Sequence, residues 1–134
     1  MKLRKVEPAA MADLQILYKL LGERTPTQSI SHKGMPTFRE HIDFVKSKPY
    51  AAWYLIVEGE DVVGSTYLTE NNEIGISVFK VYQGKGYGKA AVEELMSMYE
   101  PPFYANIAPN NVDSQSFFKN LGFKFIQKTY ALGD

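Results

Sequence analysis

The stretch "VYQGKGYGKA", from Val81 to Ala90, places three glycines between an apolar run and a segment with helical spacing. The pattern predicts a strand before the glycines and a helix from about Gly86 after them. Glycine permits positive φ and lets a ligand approach the main chain closely. The first N–H groups of a helix have no internal partners and carry partial positive charge. The stretch therefore predicts a site for an anionic group such as a pyrophosphate.

Two other glycine motifs do not match this stretch. A P-loop has a fixed spacing between its first glycine and a Gly-Lys-Ser/Thr triplet. Counting back from Gly88 puts that first position at Gln83, and Ala90 stands where the magnesium-binding hydroxyl belongs. A dinucleotide fingerprint opens a parallel βαβ unit near the start of a chain, whereas three strands are predicted before these glycines. Both assignments are therefore excluded.

Composition restricts the classes of function. The chain has 134 residues, 45% of them hydrophobic and 22% charged, which predicts one globular domain over 1–134. Its 15 basic and 15 acidic side chains cancel, and a neutral chain is a poor candidate for nucleic-acid or membrane-surface binding. The absence of cysteine excludes disulfides and thiolate chemistry. Without a signal-like or membrane-spanning stretch, a cytoplasmic location is expected.

Apolar spacing predicts the order β-α-α-β-β-β-α-β-α-β, an α/β (α+β) fold. The predicted strands cover 2–6, 51–59, 62–70, 73–81, 103–108 and 123–130. Thr37 and Glu40 have the spacing of a capping box at the second helix. Asn110 or Asn111 can cap the fourth helix, with Gly122 just past its end. Tight turns predict an antiparallel meander, and the crossover helix predicts that the fourth and fifth strands are parallel.

A family pattern covers part of the opening stretch and a second segment later in the chain. Gln83, Gly86 and Gly88 match Gln/Arg-x-x-Gly-x-Gly/Ala, and "NVDSQSFFKNLGF" runs from Asn111 to Phe123 with a terminal Gly-Phe pair. In this strand–turn–helix setting the chain resembles the GCN5-related N-acetyltransferase (GNAT) family over nearly its whole length. The resemblance implies a mixed, mostly antiparallel sheet of about six strands, with two central strands splayed apart and helices on both faces. It also implies acetyl-CoA as the co-substrate and direct transfer of the acetyl group to an amine.

The resemblance also implies where acetyl-CoA would bind. The pantetheine arm would lie along the strand before the glycines, and the glycine turn would surround the pyrophosphate. A backbone N–H near Val78 would polarise the thioester carbonyl. The implied cofactor-binding residues are Ile76, Ser77, Val78, Gln83, Gly84, Lys85, Gly86, Tyr87, Gly88, Lys89, Asn111 and Phe118.

Phe118 departs from the family pattern, because it stands where many members carry a tyrosine that protonates the leaving thiolate. A free thiol has a pKa of about 8.5, so its protonation at pH 7 involves only roughly 2 kcal/mol. An alkylamine with a pKa of about 10.4 needs roughly 4–5 kcal/mol to lose its proton at the same pH. A base therefore matters more than an acid.

Five side chains are candidates for proton transfer. Glu73, at the start of the splayed strand, is the candidate base, with an exposed strand-end carboxylate as the alternative interpretation. His32, in a polar loop, and His41, on a helix, have pKa values suited to proton transfer, although either could serve in packing. Tyr104 or Tyr130 could replace the missing acid or simply pack. No metal site is predicted.

The resemblance implies a small-molecule primary amine as acceptor, with an amino sugar or a similar metabolite preferred over a protein N-terminus or lysine. A non-catalytic CoA-binding domain is the second class, suggested by Phe118. No nucleic-acid or membrane partner is expected. The chain ends four residues after the last predicted strand. Since an uncovered sheet edge tends to pair, a homodimer is also predicted.

Overall fold

The computed structural model describes residues 1–24 and 34–133. An antiparallel sheet with the strand order β1-β2-β3-β4 lies at its centre. The strands are β1 (Lys2–Lys5), β2 (Ala52–Glu58), β3 (Asp61–Leu68) and β4 (Ile74–Val78). Short turns join β2 to β3 and β3 to β4, so the predicted meander is confirmed.

The α-helices in the described chain are α1 (Met11–Gly22), α2 (Phe38–Lys46), α3 (Tyr87–Ser97) and α4 (Val112–Asn120). The predicted capping box starts α2: Glu40 N–H donates to the Thr37 hydroxyl at 3.1 Å, and Thr37 N–H donates to the Glu40 carboxylate at 2.8 Å. Asn111 caps α4 by accepting from the Ser114 N–H at 3.1 Å. No helix in the described residues is long and apolar enough to cross a membrane.

The side chains of β2 divide between two cores. Leu55 packs with Leu14 of α1 and Val45 of α2. Its neighbour Ile56 packs with Ala91 of α3. Successive side chains of a strand point to opposite faces, so the helices cover both faces of the sheet as predicted. Leu55 and Ile56 are both 0% exposed, and burial of each stabilises the fold by about 1.5–3 kcal/mol.

The predicted strand at 103–108 is reduced to one parallel bridge, between Glu73 and Tyr104. Ile74 N–H donates to the Tyr104 carbonyl at 2.7 Å, and Tyr104 N–H donates to the Asn72 carbonyl at 2.9 Å. The predicted parallel direction is therefore confirmed at the bridge. No further backbone hydrogen bond joins 105–108 to β4 in the described chain, because the two segments separate after the bridge.

The predicted strand at 123–130 is wrong. In the described structure this segment pairs with no strand, and Phe125, Ile126 and Tyr130 are 74%, 69% and 86% exposed. A strand requires a neighbour that offers a ladder of N–H and C=O groups. Since 105–108 forms no ladder with β4, the apolar pattern at 123–130 has no sheet to extend. The fold class is confirmed, but the described sheet has four strands instead of six. The homodimer stays a prediction.

Candidate active site

One edge of β4 has no partner strand beyond its first residue. Ile74 donates its N–H across that open side, to Tyr104. Because the hydrogen-bonding direction alternates along an antiparallel strand, the main chain of Ile76 and Val78 faces the same open side. No backbone carbonyl in the described residues accepts from the N–H groups of Ile76 and Val78. An extended ligand could therefore bind along this edge as an added strand would.

β4 ends at Val78, three residues before the predicted end at 81. Phe79 N–H donates to the Val63 carbonyl at 2.9 Å, and a 3₁₀ helix follows at Lys80–Tyr82. The Gln83 side-chain amide then donates to the Val78 carbonyl at 2.9 Å. Gln83 thus fixes the turn against the end of β4 and brings the start of α3 close to the open edge.

The first turn of α3 has unpaired N–H groups. Gly86 is the N-cap with φ +86°, and the first helical hydrogen bond runs from Ala90 N–H to the Gly86 carbonyl at 3.1 Å. Among the four α-helices that the structure describes, α3 alone has no acidic residue in its first turn. Lys85 and Lys89 add positive charge beside it. This helix start therefore favours an anion.

The three glycines of this turn serve two different purposes. Gly84 and Gly86 have φ of +79° and +86°, and a Cβ built on either would meet no atom within 4 Å. A Cβ on Gly88 would lie 3.2 Å from the Phe117 ring and 3.7 Å from Val78. The first two glycines therefore provide the backbone conformation and leave open space, whereas Gly88 permits close packing of α3.

A cavity of about 340 Å³ adjoins β4, a volume typical of small-molecule sites. Of the predicted cofactor residues, Ile76, Ser77, Asn111 and Phe118 line it, while Val78 and the glycine turn do not. Its opposite wall comes from α1, α2 and the sheet face beneath them. The lining residues on that side include Leu17, Leu20, Leu21, Arg24, Glu40, His41, Phe44, Tyr50, Trp53, Ser65 and Tyr67. One space thus connects the β4 edge with side chains of the first half of the chain.

The acetyltransferase (GNAT) family model matches residues 14–123. The chain belongs to the GNAT family. The GNAT family uses acetyl-CoA, so the predicted co-substrate is confirmed for this family member. The open β4 edge and the uncapped start of α3 fit an extended arm with a diphosphate. No match to a curated protein was found.

Solved structures support the fold of this GNAT protein. An acetyltransferase from Thermus thermophilus has a TM-score of 0.73 at 19% identity, with 94% of this chain and 88% of that one covered. The aminoglycoside 6'-N-acetyltransferase from Acinetobacter haemolyticus has a TM-score of 0.72 at 16% identity, with 100% and 98% covered. A putative acetyltransferase from Salmonella typhimurium, solved with its cofactor acetyl-CoA, has a TM-score of 0.71 at 17% identity, with 92% and 79% covered.

Two of the predicted catalytic residues, Glu73 and Tyr104, do not line the cavity of this GNAT protein. The Glu73 carboxylate accepts from the Thr69 hydroxyl at 3.0 Å and from the side-chain amide of Asn106. Glu73 and Tyr104 are joined by the parallel bridge, but neither lines the cavity, whereas Asn106 does. The Glu73 carboxylate therefore holds the side chain of Asn106, which lines the cavity. His32 lies outside the described residues.

Phe118 and Asn111 have packing and capping roles in addition to lining the cavity. Phe118 is 5% exposed, and its ring centroid lies 5.1 Å from those of Phe117 and Phe123. It is part of the core that joins α4 to the sheet. The Asn111 side-chain oxygen accepts the Ser114 N–H, so its contribution to α4 exists without any ligand.

His41, a candidate for proton transfer with packing as the alternative, lines the cavity. The side chain is 4% exposed, and its Nε2 lies 3.0 Å from the Leu14 carbonyl oxygen. Since a carbonyl can only accept, Nε2 carries the hydrogen and Nδ1 is the unprotonated nitrogen. Burial lowers the pKa of His41, which keeps the ring neutral near pH 7.

The aromatic residues on the α1–α2 side of the cavity were missed in the sequence analysis. Trp53 and Tyr67 are paired across β2 and β3, and Tyr67 is paired with Gly75 on β4. Paired residues of neighbouring strands point to the same face. A cross-strand alignment of these three residues, once the meander was predicted, was the signal that could have revealed this surface.

Proposed function

We propose that this GNAT protein is an acetyl-CoA-dependent N-acetyltransferase whose acceptor is a primary amine of a small molecule. The observation that carries the proposal is the cavity between the open β4 edge and the α1–α2 side of the sheet. A thioester bound along β4 would meet an amine bound on the opposite wall. The cavity volume of about 340 Å³ favours a small acceptor over a protein segment.

The main chain of β4 supplies electrostatic stabilisation in this proposal. The N–H groups of Ile76 and Val78 face the open edge without a backbone acceptor. A donor fixed in this way stabilises the oxyanion that develops when the amine nitrogen attacks the thioester carbon. The ammonium form of the acceptor first gives one proton to a base. The neutral amine then attacks, the new C–N bond forms, the C–S bond breaks, and the nitrogen loses a second proton while the CoA sulfur gains one.

We assign acceptance of the amine proton to His41, directly or through water. Among the described titratable residues on the cavity wall, Arg24 is a cation, and hydrogen bonds from Thr37 lower the pKa of Glu40, which makes that carboxylate a weak base. Burial, together with the neighbouring Tyr67, raises the pKa of Tyr50 and keeps its hydroxyl protonated. His41 is neutral and carries its hydrogen on Nε2, so Nδ1 can accept a proton.

The first experiment combines calorimetric titration with CoA and an acetyl-CoA turnover assay over a panel of primary amines. Micromolar CoA binding and turnover of at least one amine are the expected results. CoA binding without turnover of any amine would instead identify a non-catalytic CoA-binding domain. Absence of CoA binding would overturn both.

The second experiment compares His41→Gln with Glu73→Gln. Loss of a general base reduces kcat roughly 10²-fold, so His41→Gln should lose about that much and should lose the acidic limb of its pH profile. Glu73→Gln should keep that limb. Equal CoA affinity in both variants controls for misfolding. If Glu73→Gln alone abolishes the acidic limb, Glu73 is the base and the assignment to His41 is wrong.

A further inference from the structure

The cavity has an aromatic wall, formed by Phe44, Tyr50, Trp53 and Tyr67. The rings of Tyr50 and Tyr67 are stacked, with centroids 3.8 Å apart and an interplanar angle of 3°. Trp53 meets Tyr50 edge-on at 4.7 Å, and Phe44 meets Trp53 edge-on at 6.2 Å. The wall therefore offers a continuous surface of ring faces and edges instead of separate side chains.

Local contacts hold this wall in place and occupy the indole N–H of Trp53. The Trp53 indole N–H donates to the Ser65 hydroxyl at 2.8 Å, and that hydroxyl donates to the Tyr54 carbonyl at 3.0 Å. Gly75 lies beneath the Tyr67 ring, where any Cβ would collide with the ring. With the indole N–H already used, Trp53 presents its apolar ring to the cavity. A polyhydroxylated sugar, which needs many donors and acceptors, gains no donor from Trp53 and would leave hydroxyls unpaired against the Phe44 and Trp53 rings.

The charges around the cavity disfavour acceptors with several positive charges. In the described lining, Glu40 is the only acidic residue and Arg24 the only permanent cation. The residues at 25–33 contain no Asp or Glu, so that segment cannot add a carboxylate wherever it lies. A polyamine or an aminoglycoside carries several positive charges and needs several carboxylates for recognition. A ligand with one amine needs no such set of carboxylates, and a flat apolar or aromatic body can pack on the rings of the wall.

We propose that the acceptor is a primary amine with one positive charge, carried on a flat apolar or aromatic body that packs on the aromatic wall. This inference rests on the proposed function, because it names the substrate class of the same cavity. It replaces the amino sugar that the sequence favoured. Aromatic contact provides the affinity, and the amine extends toward the β4 edge.

Trp53 makes acceptor binding measurable without turnover, since it is the single tryptophan of the chain. With CoA present, its fluorescence is titrated with 2-phenylethylamine, glucosamine and spermidine. A saturable change with 2-phenylethylamine, at an affinity at least tenfold above that of the other two, is expected. Comparable affinity for glucosamine or spermidine would overturn the inference, as would the absence of a saturable change with 2-phenylethylamine.

Turnover of the same amines separates this inference from the proposed function. One outcome is that 2-phenylethylamine binds at Trp53 but no amine is acetylated. The cavity would then bind aromatic amines as ligands, and the proposal of catalysis would be wrong. Preferred acetylation of glucosamine or spermidine would support the proposed acetyltransferase activity and contradict the aromatic-amine acceptor.

A matched pair of variants tests the contact itself. Phe44 and Met98 are 43% and 44% exposed, but Phe44 belongs to the aromatic wall and Met98 lies beyond the end of α3, outside the cavity lining. Phe44→Ala should raise the KM for 2-phenylethylamine about fivefold, since it removes an aromatic contact, with CoA affinity unchanged. Met98→Ala should change neither the KM for 2-phenylethylamine nor the CoA affinity. An unchanged KM in Phe44→Ala would contradict packing of the acceptor on this wall.

Discussion

The cofactor side and the acceptor side of the candidate site are built from different parts of the chain. The cofactor side consists of main-chain groups: the open edge of β4 and the N–H groups at the start of α3. The acceptor side consists of side chains from α1, α2, β2, β3 and the connection between α2 and β2, and Tyr50 of that connection stacks on Tyr67 of β3. Main-chain groups are the same in every sequence, whereas side chains change with each substitution. This architecture can therefore keep its co-substrate while its acceptor changes.

The largest expected effect is on the cofactor side, at Gly86. Gly86→Val places a branched side chain at φ +86° and in space that is open within 4 Å. The backbone strain should cost roughly 1–2 kcal/mol of stability. The side chain would also occupy the space in front of the α3 N–H groups, so CoA affinity should fall at least about tenfold, or roughly 1.4 kcal/mol. Calorimetric titration with CoA measures the affinity, and thermal unfolding measures the strain.

Gly59→Val is the matched control for this prediction. Gly59 has φ +60° in the turn between β2 and β3, and a Cβ there also meets no atom within 4 Å. It should lose comparable stability and keep its CoA affinity. If both variants lose CoA affinity equally, strain alone explains the effect, and the start of α3 is not the diphosphate site.

The cofactor side could be predicted from the sequence because its determinants are local. Gly86 has a positive φ and directly precedes α3. The sequence pattern therefore predicts this turn without any knowledge of tertiary contacts. The same holds for the capping box at Thr37 and the Asn111 cap, both of which are confirmed. Hydrogen bonds over three residues leave a signature in consecutive letters.

The acceptor side and the last two strands could not be predicted in this way. Tyr50 and Tyr67 are 17 positions apart in the sequence, yet their rings stack. Their contact depends on strand register and on the absence of a side chain at Gly75. The apolar pattern at 123–130 is typical of a strand, but a strand also needs a partner edge, which periodicity cannot report. Local signals were reliable here, and non-local ones were not.

The second prediction concerns the acceptor side, at Gly75. In Gly75→Ala the new methyl group would collide with the far end of the Tyr67 ring, which can swing aside. The stacking of Tyr67 on Tyr50 would then be lost, and the KM for the acceptor should rise about fivefold, because such ring contacts contribute about 0.5–1.5 kcal/mol each. CoA affinity should stay within about twofold, since the substitution leaves the outward N–H groups of β4 in place. Steady-state kinetics and CoA titration on the same sample measure both values. A parallel loss of CoA affinity would show that the two sides are not independent.

The smallest expected effect is on stability, at His41, which lies on the acceptor wall. Burial lowers the pKa of His41 in the folded protein, while the unfolded chain binds a proton near pH 6.5. The contribution of the neutral ring to stability is therefore complete above about pH 6.5 and is lost as the pH falls toward the folded pKa, by at most about 1.4 kcal/mol per pH unit. The Asp13 carboxyl does not contribute to this pH dependence. Burial raises its pKa, but hydrogen bonds from Arg4 and the Glu7 amide hold the pKa below its usual value. Asp13 therefore titrates at lower pH than His41. Urea unfolding at pH 7.5 and 5.5 measures the difference. The wild type should lose more stability on acidification than His41→Gln, and an equal loss in the two proteins would mean that His41 is not the buried neutral group on which its assignment as the base depends.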